Sequence, residues 1–257
     1  MDNLLDFARK LIPVVRAVGD IQRRYYNEGA DVMSKADGSP VTLADQESEK
    51  LIIDALARLA PGVAVVGEES VAAGHIPDIT SGEFFLVDAL DGTKEFINGG
   101  GDFTVNIAYM KDARPVMGII YAPMTDKLYF GAEGHAYEVI DGNAEHEITV
   151  RRVPEDGLTV VTSKRSDNLE KIRKLVDGKH VKELRSYSSS LKFCAVAAGE
   201  ADFYPRLSPT CEWDTAAGDA ILRAAGGSVL TLDGALLAYG KTSQKFLNPG
   251  FKAVSNQ

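Results

Sequence analysis

Two amphipathic segments begin the chain. From residue 3 to residue 27 the apolar side chains recur every three or four positions, which is the spacing of one face of an α-helix. Pro13 should kink this helix or mark its first strong turn. A second helix is predicted to start after Thr42, a plausible N-cap, and to end before Pro61, while the Gly-, Asp- and Ser-rich stretch 29–40 is predicted to form a loop. We expect both helices to lie in one layer with these side chains inward: Leu4, Ala8, Leu11, Ile12, Val15 and Val18 in the first, and Leu51, Ile52, Ala55, Leu56 and Leu59 in the second.

Short runs rich in β-branched and aromatic residues follow the second helix. Gly, Asn and Pro residues separate these runs, which is typical of successive strands. Such a succession predicts an antiparallel sheet rather than a series of βαβ units. The predicted strands cover residues 63–66, 84–88, 103–110, 115–121, 127–132 and 136–140.

The pattern changes after residue 152. Segments with strand and helix periodicity now alternate, which is typical of an α/β arrangement. They are a strand at 158–162, a helix at 168–176, a strand at 181–187, a helix at 191–198, a further strand, and a helix at 214–225. We therefore predict two units, an α+β half with an antiparallel sheet over residues 1–150 and an α/β half over residues 151–257.

Composition and charge are those of an ordinary globular protein. Apolar residues make up 45% of the 257 residues and charged residues 25%, which excludes disordered, collagen-like and coiled-coil classes. The 37 Asp and Glu outnumber the 28 Lys and Arg, giving a formal net charge of −9. This charge argues against a nucleic-acid polymer or a generic anionic membrane as the partner, although a local cationic pocket remains compatible with it.

The sequence contains no pattern that predicts export or a membrane span. The first twenty residues lack a basic start followed by an apolar run, and no 18 consecutive apolar residues occur. We expect a cytoplasmic protein, with peripheral association at the inner membrane left open. The two cysteines, Cys194 and Cys211, can form neither a disulfide framework nor a zinc site, so we expect both to be reduced.

Acidic residues follow two of the predicted strands. Asp88 and Asp91 come at the end of one apolar run, and Glu68 and Glu69 come at the end of another. Carboxylates placed directly after a buried strand lose hydration and repel one another, so either a cation neutralises them or one takes up a proton. The alternative for the first cluster is a simple turn with Asp91 and Gly92 at its corner.

Two further acids complete the candidate metal ligands. Asp214 lies at the predicted start of the last helix, and Asp45 lies early in the second helix. Each of them alone is equally well explained by helix capping or by the helix dipole. Together the acids offer hard oxygen ligands with no His or Cys among them, which suits Mg²⁺. The spacing of the four histidines matches no metal-binding motif; they are His75, His135, His146 and His180.

The spacing of the acids argues against a phosphoaspartate mechanism. Phosphatases of the haloacid dehalogenase type need a nucleophilic Asp two positions before the second Asp of an Asp-Gly-Thr run. That position is Ala89 in this chain, and Asp88 lies on the other phase of the strand. The Asp-Gly-Thr run therefore has no nucleophile.

Several short motifs resemble those of one enzyme family. The chain contains, in order, VTLAD at 41–45, GEES at 67–70, DALDGT at 88–93 and WDTAAG at 213–218. Their order and spacing resemble the inositol monophosphatase superfamily of Mg²⁺-dependent, Li⁺-sensitive phosphatases. The longer strings DGTKEF, SSLKFC, YPR and FLNPGF are similar to its 3'(2'),5'-bisphosphate nucleotidase branch. The resemblance extends from the N-terminal helix to Phe251 and implies a layered αβαβα sandwich of α/β class.

The resemblance implies two to three Mg²⁺ ions at the seam between a metal-binding first half and a substrate-binding second half. Asp88 would bridge two of the ions. The implied ligands are Glu68, Asp88 and the carbonyl of Leu90 for one ion, Asp88, Asp91 and Asp214 for a second, and Glu68 or Glu69 through waters for a third. This is the logic of two-metal catalysis, in which the ions clamp the attacking and the departing oxygen.

The catalytic residues that the resemblance implies are Asp45, Glu68 and Thr93. Thr93, hydrogen-bonded towards Asp45, would polarise the attacking water for in-line attack on phosphorus. No covalent enzyme intermediate is expected from this arrangement.

A bisphosphate substrate needs a second anion site, which in an acidic protein requires locally placed cations. The candidates are Lys192, near the start of the helix at 191–198, and Arg206. Ser189 and Ser190 precede that helix, and their hydroxyls with its free N–H groups are predicted to form an anion cradle. Ordinary capping and surface charge are the alternative explanation. For a bisphosphate substrate the resemblance implies contacts from Gly92, Thr93, Ser189, Lys192, Arg206 and Asp214.

Arg206 also separates two candidate substrates. Inositol monophosphatases typically carry a Glu at the matching position, where it accepts hydrogen bonds from ring hydroxyls. An Arg donates hydrogen bonds to anions instead. We therefore expect hydrolysis of the 3'-phosphate of adenosine 3',5'-bisphosphate to AMP, with inositol monophosphatase or fructose-1,6-bisphosphatase activity as the alternative.

The chain departs from the family pattern at two positions. Ala89 stands where many relatives carry Pro, which should loosen the turn without removing a ligand. Ser166 stands where the nucleotidases often have a His near the base, so base selectivity is open; Lys164 and Arg165 are expected either to strengthen phosphate binding or to be exposed loop cations. A catalytically idle binding module is a further alternative, against which the intact acidic set argues. The sequence does not report the oligomeric state, and a homodimer is left open.

Overall fold

The computed structural model describes residues 3–29, 32–35, 38, 40–142, 144–163, 169–176 and 178–255. Seven α-helices lie within these ranges: α1 Leu4–Glu28, α2 Leu43–Leu59, α3 Glu68–Ala72, α4 Thr93–Ile97, α5 Leu169–Leu175, α6 Leu191–Ala197 and α7 Ala216–Ala224. Two 3₁₀ turns, Pro123–Thr125 and Thr242–Gln244, accompany them.

Sixteen strands in the same ranges form two large sheets and two short ribbons. The ribbons pair β1 (Val32–Ser34) with β2 (Pro40–Thr42), and β13 (Thr210–Cys211) with β15 (Leu247–Asn248). The first large sheet has seven strands in sequence order: β3 Ala64–Gly67, β4 Glu83–Asp91, β5 Thr104–Lys111, β6 Arg114–Ala122, β7 Lys127–Ala132, β8 His135–Ile140 and β9 His146–Ile148. The second contains β10 Leu158–Thr162, β11 Val181–Ser186, β12 Phe203–Arg206, β14 Ser228–Thr231 and β16 Phe251–Val254, in the order β11-β10-β12-β16-β14.

The helices and the two sheets stack in five layers. Helices α1 and α2 cover one face of the seven-stranded sheet, where the ring of Phe7 stacks on Phe85. Helices α6 and α7 separate its other face from the five-stranded sheet, and Phe193 of α6 stacks on Phe251 of β16. Helix α5 covers the outer face of the five-stranded sheet through Ile172. This arrangement confirms the predicted αβαβα sandwich.

Helix α7 packs closely against its neighbours at two glycines. A side chain at Gly118 of β6 would clash with the main chain of Ala217, and one at Gly218 would clash with the ring of Phe193. Glycine at both positions allows the backbones to approach. The start of α7 is thereby held against the seven-stranded sheet, close to the acidic residues described below.

The two N-terminal helices form as predicted. The Asn3 side chain caps α1 by accepting from the N–H of Asp6, and Thr42 caps α2. Pro13 lies inside α1, which continues to Glu28. The prediction that the Leu59 side chain faces inward is wrong, because Leu59 is 38% exposed at the end of α2. Three more, Leu4, Ile12 and Leu51, are only partly buried.

Two sequence predictions of strand arrangement are wrong. The stretch 29–40 is not wholly a loop, because Val32 pairs with Thr42 in the β1–β2 ribbon. The seven-stranded sheet is not wholly antiparallel, because β3 runs parallel to β4. The 15 residues from Glu68 to Gly82 that join these two strands are long enough for the crossover that a parallel pair requires.

The last predicted helix starts later than its sequence suggested. Helix α7 begins at Ala216 with Thr215 as its N-cap residue, so Asp214 is not the cap. The predicted division at residue 150 stays a prediction; one buried cluster contains Phe84 and Ile120 together with Phe193 and Phe251. No helix in the described ranges is both long and apolar enough to cross a bilayer.

Candidate active site

Three carboxylates from distant parts of the chain meet in one cluster. Asp88 lies in β4, Glu68 begins α3, and Asp214 precedes α7. One oxygen of each lies within 4.8 Å of the others. Because β3 and β4 are parallel and Gly67 pairs with Val87, the next residues, Glu68 and Asp88, lie at the same edge of the sheet.

Asp91, the last residue of β4, joins the cluster through a bulge. The pairing of β4 with β5 shifts register between Asp88 and Asp91. Residues three apart on a regular strand point to opposite faces, whereas a bulge re-aims the side chain, and both acids line one cavity. The Asp91 Oδ2 atom accepts hydrogen bonds from Ser189 Oγ at 2.5 Å, Ser190 Oγ at 2.9 Å and Asn106 Nδ2 at 3.3 Å.

Asp45 and Thr93 are hydrogen-bonded as the resemblance implied. The Thr93 hydroxyl donates to Asp45 Oδ1 at 3.1 Å, with the Leu90 carbonyl as a second acceptor at 3.3 Å. The other oxygen of Asp45 accepts from the N–H of Thr42 at 2.7 Å and from its hydroxyl at 2.6 Å. Asp45 therefore serves in the cap of α2 and also holds Thr93, so the capping explanation does not exclude the catalytic one.

Lys35 neutralises part of the acidic cluster. Its ammonium lies 2.5 Å from Glu68 Oε1 and 2.7 Å from Glu69 Oε1. Burial disfavours the charged ammonium, but the two glutamates outweigh this effect and raise the pKa of Lys35 above its ordinary value. Glu69 is thus held by a lysine in this structure, at the position where a third ion was expected.

Burial raises the pKa of three carboxyl groups here, those of Asp88, Asp214 and Glu69. For Asp88 loss of hydration is the largest cause, followed by the charges of Glu68, Asp91 and Asp214. Burial and the neighbouring Asp91 raise the pKa of Asp214 to about 7. Burial raises the pKa of Glu69 to about 7, although Lys35 opposes the shift. At neutral pH this cluster needs cations or protons to offset its mutual repulsion.

The donor set fits a hard divalent cation. The ligands of Mg²⁺ lie about 2.1 Å from the ion, so opposite ligands are roughly 4 Å apart, and oxygens within 4.8 Å reach that geometry by small movements. In the part of the chain that the structure describes, no His or Cys joins the cluster, and oxygen-only ligation favours Mg²⁺. A cavity of about 210 Å³ contains the candidate ligands in its wall, namely Glu68, Asp88, Leu90, Asp91 and Asp214, together with Thr93.

A larger cavity of about 690 Å³ adjoins the acidic one. Asp91, Gly92 and Asp214 line both cavities. The larger one has the volume of a small-molecule site and is also lined by Ser189, Lys192 and Arg206. Gly92 is required where the two cavities meet, because its φ of 103° is left-handed and a side chain there would approach the Asp102 carbonyl to 3.3 Å.

Lys192, which is buried, and Arg206, which is partly buried, are cations that line the larger cavity. Lys192 is 3% exposed, and its ammonium lies 5.3 Å from the centre of the Tyr204 ring. Loss of hydration lowers the pKa of Lys192 to about 8, although Asp91 opposes the shift. The Arg206 Nε atom is buried without a hydrogen-bond partner among the described groups. A buried donor without a partner favours an anionic ligand that would satisfy it.

The structure thus brings most of the predicted residues to two adjoining cavities, while Asp45, Glu69 and Ser190 line neither of them, and one role changes. The hydroxyls of Ser189 and Ser190 bond to Asp91 and so do not form a free anion cradle.

Ala89 is held by Gln22, whose Nε2 donates to its carbonyl at 2.5 Å. The segment with Lys164, Arg165 and Ser166 lies outside the described residues. All four histidines are exposed, and none lines either cavity. Both cysteines are free thiols.

Sequence reasoning missed three polar residues that position the acids: the buried Glu49 and Asn106, and the partly buried Lys35. Glu49 shows what could have been noticed, because it lies four residues after Asp45 and therefore on the same face of α2. Its Oε2 accepts from the N–H of Glu69 at 2.7 Å, and its Oε1 accepts from the N–H and the hydroxyl of Ser70 at 2.8 and 2.6 Å. Gly67 packs on this carboxylate, where a side chain would clash.

Glu49→Gln should destabilise the fold and weaken Mg²⁺ binding. The amide NH₂ would face donors, leaving at least one of the three without an acceptor, at a cost of roughly 1–3 kcal/mol. Chemical denaturation and Mg²⁺ titration by calorimetry measure the two effects. The control is Glu47→Gln, an exposed acid of α2 paired with Arg24. If Glu49→Gln keeps wild-type stability and Mg²⁺ affinity, Glu49 does not position the ligands.

Comparison with known proteins identifies relatives along almost the whole chain. The model of the inositol monophosphatase family matches residues 3–252. The 3'(2'),5'-bisphosphate nucleotidase CysQ of Escherichia coli (strain K12) is 42% identical over 243 residues, which cover 93% of this chain and 96% of the relative. The nucleotidase CysQ of Salmonella typhimurium is 41% identical over 94% of this chain and 96% of its own length.

Solved structures share the five-layer architecture. CysQ from Bacteroides thetaiotaomicron has a TM-score of 0.80 and 34% identity, with 98% of each chain covered. An IMPase from Thermotoga maritima, at 24% identity and a TM-score of 0.76 over 97% of this chain and 91% of its own, shows the fold alone. Motifs, site geometry and similarity agree, and the chain belongs to the inositol monophosphatase family, in which it is similar to the CysQ branch over nearly its entire length.

Proposed function

We propose that this protein is a Mg²⁺-dependent phosphatase that removes the 3'-phosphate of adenosine 3',5'-bisphosphate and releases AMP and phosphate. The observation that carries the proposal is the pair of adjoining cavities, one lined by carboxylates and the other by Lys192 and Arg206. A monophosphate ester needs only the acidic cavity. A substrate with a second phosphate also satisfies the buried donors of the other cavity, and charge-assisted bonds of this kind are strong.

The curated relatives support the same substrate class. Two proteins named 3'(2'),5'-bisphosphate nucleotidase are 41–42% identical to this chain over more than nine-tenths of it. Their name refers to hydrolysis of one phosphate of a nucleotide that carries two. The two cavities of this chain provide separate places for two such groups.

The acidic residues would bind the metal ions at the phosphate that is removed. Divalent cations, when bound, supply positive charge to the phosphoryl oxygens and lower the pKa of a water nucleophile. We assign their ligation to Glu68, Asp88 and the Leu90 carbonyl on one side, and to Asp88, Asp91 and Asp214 on the other, with two ions as the working number. Asp88, which is buried near the other acids, would be the ligand common to both sets.

Thr93 and Asp45 provide for the proton of the attacking water. The Thr93 hydroxyl donates to Asp45, so its lone pairs are left to accept a hydrogen bond from that water. Burial raises the pKa of Asp45, which makes its carboxylate a better proton acceptor through Thr93. The hydrogen bonds from Thr42 fix the orientation of Asp45.

Product analysis tests the proposed reaction. Phosphorus NMR of adenosine 3',5'-bisphosphate with the enzyme and Mg²⁺ should show loss of the 3'-phosphate signal, growth of inorganic phosphate and retention of the 5'-phosphate signal. Omission of Mg²⁺ should stop the change. Loss of the 5' signal, or no phosphate release with Mg²⁺ present, would contradict the proposal.

Arg206→Gln should impair the bisphosphate and spare a simple ester. We expect KM for adenosine 3',5'-bisphosphate to rise roughly 10- to 100-fold, because a charge-assisted bond worth about 1.5–3 kcal/mol is lost. Hydrolysis of an aryl monophosphate, which does not extend into the larger cavity, should change less than about twofold. The control is Arg185→Gln, a partly exposed arginine of β11 that lines neither cavity. Equal losses on both esters would mean that Arg206 is structural.

A further inference from the structure

The turn before α6 lines the larger cavity and is bonded to Asp91, which lines both cavities. On one side the hydroxyls of Ser189 and Ser190 donate to the carboxylate of Asp91, at 2.5 and 2.9 Å. On the other side the ammonium of Lys192 donates to the Ser189 carbonyl at 2.5 Å and lies 3.4 Å from the Tyr187 carbonyl. The same short turn is therefore held by a candidate metal ligand and by a candidate phosphate anchor.

The turn is also tied to a second candidate metal ligand. Ser190 Oγ lies 3.0 Å from the main-chain carbonyl of Asp214 and 2.8 Å from the Nδ2 of Asn106, which is buried in β5. The hydroxyl of Thr104 is hydrogen-bonded to that of Ser189. A displacement of the turn would thus move the hydrogen-bond partners of Asp91 and Asp214 together.

Ser189 has a backbone conformation that needs these contacts. Its φ is +53°, in the left-handed region that residues other than glycine seldom adopt. Such a conformation costs energy and persists only where the surroundings fix it. The bonds from the Ser189 side chain to Asp91 and from Lys192 to the Ser189 carbonyl supply that constraint, so removing either one should let the turn relax.

We propose that Lys192 and Ser189 form a positioning link through which an anion in the larger cavity strengthens metal binding at Asp91. Lys192 has three donors, of which two are directed at carbonyls of the turn, and the third is available to an anion in the cavity that it lines. An anion there fixes the lysine, the lysine fixes the turn, and the turn fixes Asp91. By linkage, bound metal strengthens anion binding by the same factor.

That the anion is the second phosphate of the substrate rests on the proposed function. The link between Lys192, Ser189 and Asp91 does not depend on it. Measurement of Mg²⁺ binding without substrate distinguishes the link from simple charge repulsion, because the two explanations predict opposite changes in Mg²⁺ affinity. Removing a cation near the acids should tighten Mg²⁺ binding if only repulsion acts. Removing the link should weaken it, because Asp91 loses its fixed position.

Calorimetric titration of Mg²⁺ into the full-length protein tests the link. Lys192→Met, which keeps the apolar stem, and Ser189→Ala should each weaken Mg²⁺ binding roughly 10- to 100-fold, the size expected for losing one hydrogen bond to a charged group. Each variant should still unfold cooperatively without Mg²⁺, which shows that it is folded. If Lys192→Met fails to fold, Ser189→Ala carries the same test. Unchanged or tighter Mg²⁺ binding in the folded variants would overturn the proposal.

Two further measurements sharpen the result. Arg206→Gln is the matched control, since it removes a cation from the same cavity and no hydrogen bond to the turn is described for Arg206; it should leave Mg²⁺ affinity equal or tighter. With AMP present, wild-type Mg²⁺ affinity should rise about fivefold and that of Ser189→Ala should not, within the usual range of coupling between sites. An equal gain in both would mean that AMP acts by direct ligation or charge alone, and the link would be refuted.

Discussion

Asp88→Asn is expected to remove nearly all turnover from a protein that still folds. Asp88 is 3% exposed and shares one cluster with Glu68 and Asp214, and an amide of the same size cannot supply the charge that a shared metal ligand requires. Metal ions contribute several kcal/mol of transition-state stabilisation, so kcat/KM should fall at least about 10³-fold. Steady-state hydrolysis of adenosine 3',5'-bisphosphate at saturating Mg²⁺ measures the loss.

Thermal unfolding separates this loss from misfolding. Removing one buried negative charge relieves repulsion among the acids, so without Mg²⁺ the variant should be at least as stable as the wild type. Added Mg²⁺ should raise the unfolding temperature of the wild type and have little effect on the variant, because a bound ligand stabilises only the state that binds it. Asp54→Asn, at an exposed acid of α2, is the control. A variant that kept a tenth of wild-type turnover would contradict the assignment of Asp88.

Thr93→Val should slow the chemical step without weakening metal or substrate binding. Valine keeps the shape of threonine but cannot pass a proton from water to Asp45, and positioned proton transfer contributes roughly 10²- to 10⁴-fold. We expect kcat to fall by that factor, while KM and the Mg²⁺ concentration for half-maximal activity change less than about threefold. Initial rates over a Mg²⁺ series measure all three quantities.

Thr80 provides a control for the Thr93 variant. Thr80→Val changes an exposed threonine in the connection before β4 and should leave kcat unchanged. If Thr93→Val lowered kcat less than tenfold, the proton would leave the water by another route. If it raised the Mg²⁺ requirement instead, Thr93 would be acting on the Leu90 carbonyl, its second hydrogen-bond acceptor.

Local periodicity was sufficient to predict the elements that are amphipathic or capped. Helix α1 has one apolar face, with Leu11 and Val15 fully buried, and α2 begins at the capping residue Thr42. The strands from β4 to β8 were predicted within three residues at each end because β-branched and aromatic runs alternate with turn residues. The succession of helices and strands was then enough to identify the class of fold.

Strand direction and helix starts were less predictable, because they depend on tertiary contacts. Nothing in the run 63–66 itself distinguishes a strand that runs parallel to β4 from one that runs antiparallel. Asp214 has the chemistry of an N-cap, but its carboxylate accepts from the Thr210 hydroxyl and the N–H of Cys211, so α7 begins two residues later. Competition of this kind for one side chain is visible only in three dimensions.

The acids of the site were predictable because each follows a buried strand or begins a helix in a short motif. The residues that position them were not, since Glu49 and Asn106 act across long sequence separations, 21 residues from Ser70 and 84 from Ser190. Their residue types also occur commonly on protein surfaces. The sequence therefore predicts the candidate ligands better than the hydrogen bonds that hold them.

The most direct test of the account is a comparison of kcat/KM for three esters at saturating Mg²⁺: adenosine 3',5'-bisphosphate, inositol 1-phosphate and fructose 1,6-bisphosphate. The acidic cavity serves all three, whereas Lys192 and Arg206 favour a substrate whose second phosphate extends into the larger cavity. The account predicts that adenosine 3',5'-bisphosphate is hydrolysed best, and by roughly tenfold or more over inositol 1-phosphate, which has no second phosphate to form a charge-assisted bond worth about that factor. A preference for inositol 1-phosphate or fructose 1,6-bisphosphate would contradict it.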